Sequence, residues 1–148
     1  MNYQYASFFS RVGAYFIDLL IVSSILTLLT YLGVLSFFGI DYDISQLSDT
    51  AYSINNNRGY MLITIIIGIA YYAGLQSSKW QATIGKRMMK IKVTTMDGRR
   101  IGFIRAVVRY IVMFGLSNIL FIGYLLALFT KKNQALHDLI ARTLVIKD

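Results

Sequence analysis

Cysteine is absent from this 148-residue chain, and histidine occurs once, at His137. Disulfides and thiolate metal sites are thereby excluded, and one imidazole is too few for a zinc or other transition-metal centre. Acidic residues are scarce as well, 7 against 15 lysines and arginines, for a formal net charge of +8. The N-terminus has no early basic residues, and its apolar run is interrupted by Asp18 without a small-residue cleavage motif after it. No removable signal peptide is expected from such a start. Neither end carries a lipidation motif. No serine, histidine and acid arrangement suggests an enzyme, and no cofactor is expected.

What the chain has is apolar length. Its hydrophobic fraction is 56%, its mean hydropathy +0.56, and three apolar segments extend over residues 12–40, 59–78 and 104–130. That is the pattern of one integral-membrane domain occupying residues 1–148. The first run is long enough to cross a hydrocarbon core of about 30 Å with some tilt, and the second crosses a thinner layer if nearly upright. The expected fold is an all-α polytopic membrane protein with two transmembrane helices, a third apolar segment and a small cytoplasmic β-layer.

The excess positive charge is concentrated between Lys79 and Arg109. No recognition motif for nucleic acid accompanies it, so anionic lipid head groups are the expected counter-charge. Lys79, Lys86, Arg87, Lys90 and Lys92 are read as lipid-facing. The positive-inside rule then puts residues 79–103 and the N-terminus in the cytoplasm and the acidic 41–58 loop outside. Tyr60, Tyr71, Tyr72 and Trp80 suit the two membrane interfaces.

Within the basic loop, Met88 to Thr95 alternates as a half-buried strand. Asp97-Gly98 signals a turn, after which Arg99 to Phe103 could return as a second strand. Thr143 to Lys147 is strand-like too. It can meet the Met88 to Thr95 strand only if both lie on one side of the membrane. The third apolar run is too short to span twice. The alternatives are a third crossing and a re-entrant hairpin broken near Ser117-Asn118, and strand pairing favours the hairpin and a cytoplasmic C-terminus.

Charge inside an apolar run is expensive and is therefore paired or functional. Arg11 and Asp18 are seven residues apart, close to two helical turns, so they share a face but stand about 10 Å apart along the axis. Each is expected to find its partner elsewhere. Arg105 and Arg109, on one face of the third run, are candidates for Asp18, with Arg109 preferred. Asp138 is a plausible partner for Arg11. His137 beside it is read either as a proton relay or as an interfacial polar residue. The Ala82 to Arg87 stretch has phosphate-loop character only superficially, because the glycine spacing is wrong.

These residues carry a resemblance. F-x-x-R-V-G-A-Y-x-I-D at Phe8 to Asp18, T-I-G-K-R-M-M-K-I-K-V at Thr83 to Val93, Asp97-Gly98, Arg105 with Arg109, and Q-A-L-H-D-L-I-A-R-T-L-V at Gln134 to Val145 together resemble the RDD family of small integral membrane proteins. The family is named for one arginine and two aspartates, which match Arg11, Asp18 and Asp138. Arg142 stands where the family usually has glycine. The resemblance implies a multi-pass inner-membrane protein of a prokaryote, with a role in transport and some association with sodium-proton exchange. The leading expectation is therefore a transporter or transport-associated protein handling H+, Na+ or K+ through Asp18, working as a homo-oligomer. Gly68 and Gly74 with Ala70 and Ala73 would supply small-residue packing surfaces for it. The alternative is a membrane scaffold or accessory protein binding anionic lipid or a partner protein through its basic face.

Overall fold

The computed structural model describes residues 3–37, 58–117, 122–130 and 132–148. The acidic 41–58 loop, apart from Arg58, and most of the expected Ser117-Asn118 break lie outside these residues. Among these residues the chain is mostly helical, with one two-stranded sheet.

Helix α1 runs from Phe8 to Tyr31 and is the one described helix long and apolar enough to cross a membrane. Ser7 caps its start, its hydroxyl oxygen accepting from the Ser10 N–H at 3.2 Å. Three of its hydroxyls bond within the helix. Ser23 and Ser24 donate to the Leu20 carbonyl and Thr30 to that of Leu26, as side chains do where water is not available. The run ends earlier than the sequence suggests because Gly33 takes a φ of +67, a left-handed turn that glycine enters without a Cβ penalty. A short helix α2, Val34–Phe37, follows.

In cross-section α1 is inside out relative to a water-soluble helix. Its buried residues are Arg11, Ala14 and Asp18, spaced by three and four so that they share a face. Phe9, Phe16, Leu20 and Leu28 are exposed.

Helix α3 starts at Arg58 and continues to Ser77. Between Ile69 and Gly74 it widens to π-helical geometry, an insertion that rotates successive side chains toward different partners. Tyr71 and Tyr72 are placed there, and they point inward rather than to an interface. Tyr72 is buried and stacks on Tyr110 with centroids 5.5 Å apart. Gly68 makes room for this, since a Cβ would stand 1.8 Å from the Tyr110 hydroxyl. Ala73 is likewise consumed inside the fold as part of the core.

Helix α4, Ile84–Met88, leads into strand β1, Ile91–Thr95. The strand begins three residues later than the alternation predicts because α4 takes up Met88 and Lys90 turns the chain at φ +54. Helix α5, Phe103–Val112, widens to π geometry over Met113–Ser117; α6 is Ile122–Phe129 and α7 Leu136–Ile140, before strand β2, Thr143–Lys147.

Strands β1 and β2 are antiparallel, with Ile91 opposite Lys147 and Thr95 opposite Thr143. The free edge of β2 is not left open. Ala6 N–H donates to the Val145 carbonyl and Lys147 N–H to that of Gln4, each at 2.9 Å. The expected return strand over Arg99 to Phe103 does not form. Thr95 N–H closes a turn onto the Arg99 carbonyl at 2.8 Å, and Phe103 already starts α5. Ile91, Val93, Ile101, Ala106 and Val145 form the core with Ala6, Ala14 and Ala73. In chain order the third apolar run lies between β1 and its partner β2.

Candidate functional site: a buried charge network

Two carboxylates organise the space between α1, α4, α5 and α7. Asp18, 1% exposed, accepts at Oδ1 from the Tyr71 hydroxyl and the Gly85 backbone N–H, both at 2.8 Å, and at Oδ2 from the Thr83 hydroxyl at 2.6 Å. Thr83 is also the N-cap of α4, its oxygen accepting from the Lys86 N–H at 3.4 Å. The stretch that superficially resembles a phosphate loop thus does bind an anion, but the anion is the chain's own carboxylate. Gly85 is required for this approach, since a Cβ would lie 2.3 Å from the Ala14 carbonyl oxygen and 2.7 Å from Asp18 Oδ1.

Asp138 is fully buried. One oxygen ion-pairs with Arg11 Nη1 and accepts from the Ala135 N–H at 3.2 Å; the other lies 2.6 Å from Arg109 Nη2 and 3.4 Å from His137 Nε2. Burial alone would hinder its ionisation, but the adjacent cations, Arg109 foremost, outweigh that and hold its pKa below the usual carboxylate range. His137 is buried within this layer, not interfacial, and its removal from water lowers its pKa to about 3. It is neutral at pH 7.

The preferred partnership of Arg109 with Asp18 is replaced by Arg109 with Asp138, because α7 carries Asp138 against α5 while α4 fills the space around Asp18. Arg105 stays out of the network. The first turn of α5 leaves it exposed, whereas Arg109 is 2% exposed.

The lipid-facing set needs one larger correction. Lys86 is only 9% exposed and lines, with Arg11, Asp18, Arg109 and His137, a cavity of about 10 Å³, the scale of a single water. The α4 turn that gives Gly85 to Asp18 carries Lys86 inward. Its pKa falls to about 7, through loss of hydration first and the charge of Arg109 second, with Asp18 and Asp138 opposing. Of the others, Lys79, Arg87 and Lys90 are exposed, Arg87 lying over the Trp80 ring at 4.4 Å. Lys92 is half-buried and pairs with Asp148 at 2.7 Å.

Sequence reasoning missed Tyr71, Thr83, Gly85 and Lys86 as members of the site. A threonine three residues before Lys86, at the start of a short helical stretch, is an N-cap signal that could have flagged α4. Nothing local signals that Asp18 would occupy it. Among the described residues no group of histidine and acid side chains suits a metal ion.

The network makes two clamps. Asp18 fastens α1 to α4 and α3, and Asp138 fastens α1 to α5 and α7. Arg11, Arg109 and Lys86 give three cations against the two carboxylates, a single positive excess that Lys86 can remove by giving up its proton.

Comparison with known proteins agrees with this constellation. The RDD family profile matches residues 5–142, which contain Arg11, Asp18 and Asp138. The chain is similar to the uncharacterized protein YxaI of Bacillus subtilis (strain 168), with 36% identity over 86 residues. That match spans 58% of this chain and 56% of the relative, little more than half its length. No solved structure matches. The chain, with its arginine and two aspartates held in one buried network, belongs to the RDD family.

Proposed function

We propose that this is a polytopic protein of a prokaryotic inner membrane, with both termini and residues 79–103 cytoplasmic, and that it serves transport of a monovalent cation or proton. Lys86, rather than Asp18, is the proton-exchanging group. The carrying observation is the position of Lys86, buried as the third cation beside two carboxylates. A lysine balanced near pH 7 can take or release a proton while both clamps stay closed. Asp18 is poorly placed for that work, because three donors already occupy its oxygens. The apolar outer face of α1 supports the membrane reading. Three apolar runs are few for an autonomous carrier, so the working unit is a homo-oligomer.

A proteoliposome assay of sodium- or potassium-dependent proton movement tests this. Lys86→Met should abolish flux while the protein remains folded, whereas Asp18→Asn should lower the amount of folded protein. Absence of flux from well-folded protein at several pH values would sink the transport reading. It would leave the second reading, a membrane scaffold bound to anionic lipid, which the three hydrogen-bond donors on Asp18 favour.

A further inference from the structure

Outside the buried network, an open cleft of about 770 Å³ lies between the β1 turn, the start of α5 and the end of α7. Four arginines line it, Arg99, Arg100, Arg105 and Arg142, against a single acid, Asp97. All four are exposed. Arg99 makes only a loose 3.6 Å pair with Asp97, and among the described residues the other three form no ion pair. One wall is apolar. Ile104 and Val108, four apart on α5, line it, and Ile111 continues the same helix face beyond the cleft; the three are 81%, 41% and 54% exposed.

We infer that this cleft binds the phosphate headgroup of an anionic phospholipid, with an acyl chain lying along Ile104, Val108 and Ile111. This rests on the membrane reading above and deepens it by naming a lipid site. Planar guanidiniums suit phosphate oxygens in bidentate fashion. Helix α5 adds to this, since it opens at Gly102 without a side-chain cap, leaving its first backbone N–H groups toward an anion. Free phosphate would account for the arginines and leave the apolar stripe without a role.

Arg142 is the most specific sign. Its φ is +50, a left-handed conformation that favours glycine and strains a residue carrying a Cβ. This chain carries an arginine there, at the cleft, against its conformational preference. Gln81, Lys90 and Asn133 also take positive φ, but of the four only Arg142 lines the cleft.

The test uses the full-length protein in detergent, with phosphatidylglycerol, phosphatidylcholine or inorganic phosphate added, read by native mass spectrometry and thermal unfolding. Phosphatidylglycerol should be retained and raise the melting temperature, while phosphatidylcholine and millimolar phosphate should not. Neutralising Arg100 or Arg105 to glutamine should weaken retention about fivefold each. Arg142→Gly should act in two directions: a higher melting temperature in lipid-free detergent and a smaller lipid-induced rise. That opposite pair of effects cannot come from misfolding. Equal retention of both lipids, an undiminished response in Arg142→Gly, or equal stabilisation by phosphate would overturn the inference. Release of the protein from membranes by alkaline extraction would overturn the membrane reading itself. Membrane retention without lipid selectivity would overturn only the site.

Discussion

Gly85 donates its backbone N–H to Asp18 at 2.8 Å, from a position where a Cβ would stand 2.3 Å from the Ala14 carbonyl oxygen. The contact between α1 and α4 is therefore set by the absence of a side chain. Gly85→Ala should push the two helices apart and destabilise the protein by about 1–3 kcal/mol. Thermal unfolding in detergent measures this, and an unchanged melting temperature would contradict the close approach. Thr83→Val, which removes one donor to Asp18, should cost about 1–3 kcal/mol and leave the α4 start without its cap.

Asp138 holds two guanidiniums at once, so its removal should be worse than removal of either. Asp138→Asn leaves Arg11 and Arg109 buried against a neutral amide, and an uncompensated buried charge costs about 3–5 kcal/mol. Arg11→Met with Asp138→Leu should recover only part of that loss, because it removes one of the two orphaned guanidiniums and leaves Arg109 without its carboxylate. A double-mutant cycle on membrane level and melting temperature checks the coupling, and strict additivity would argue against a shared network.

Lys86 gives the pH dependence. Its folded pKa of about 7 lies below its ordinary 10.5, so between those values the unfolded chain binds more protons than the folded one. Stability then rises with pH across that window. Lys86→Met should flatten the slope and raise stability at pH 7. His137, lowered to about 3 from 6.5, has the same sign. Its contribution is complete above pH 6.5 and is lost as the pH falls toward 3. Melting temperatures of wild type and Lys86→Met from pH 5 to 10 measure both, and parallel curves above pH 7 would reject the assignment to Lys86.

Arg105 and Arg109 differ by one turn of α5 but not in chemistry, and their burial separates them. Arg109→Ala should destabilise strongly by leaving Asp138 short of a cation. Arg105→Ala should stay within about 0.5 kcal/mol, as for exposed residues away from special features. Lys92→Ala, which breaks a partly exposed pair with Asp148, should also cost no more than about 1 kcal/mol. Equal losses at Arg105 and Arg109 would mean that the exposed arginine belongs to the network after all.

Much of the layout follows from local pattern. Apolar runs, turn signals and period-two alternation locate α3, β1 and β2 to within a few residues, and place α1 but not its end at Tyr31, because hydrophobic periodicity and turn chemistry are local properties. The Arg11, Asp18 and Asp138 set was legible as well, since charge in an apolar context stands out. What sequence could not supply was partnership. Arg109 and Arg105 are alike locally, as are Lys86 and Arg87, and only the packing of α4 and α7 against α1 decides which of each pair is buried. Tyr71 reaches Asp18 through a π-helical widening that apolar sequence does not announce. Pairings across 53 to 127 residues of chain depend on the relative placement of whole helices. Two carboxylates in an apolar setting had to be neutralised whatever the packing; helix placement chose backbone and hydroxyl donors for Asp18 and guanidiniums for Asp138.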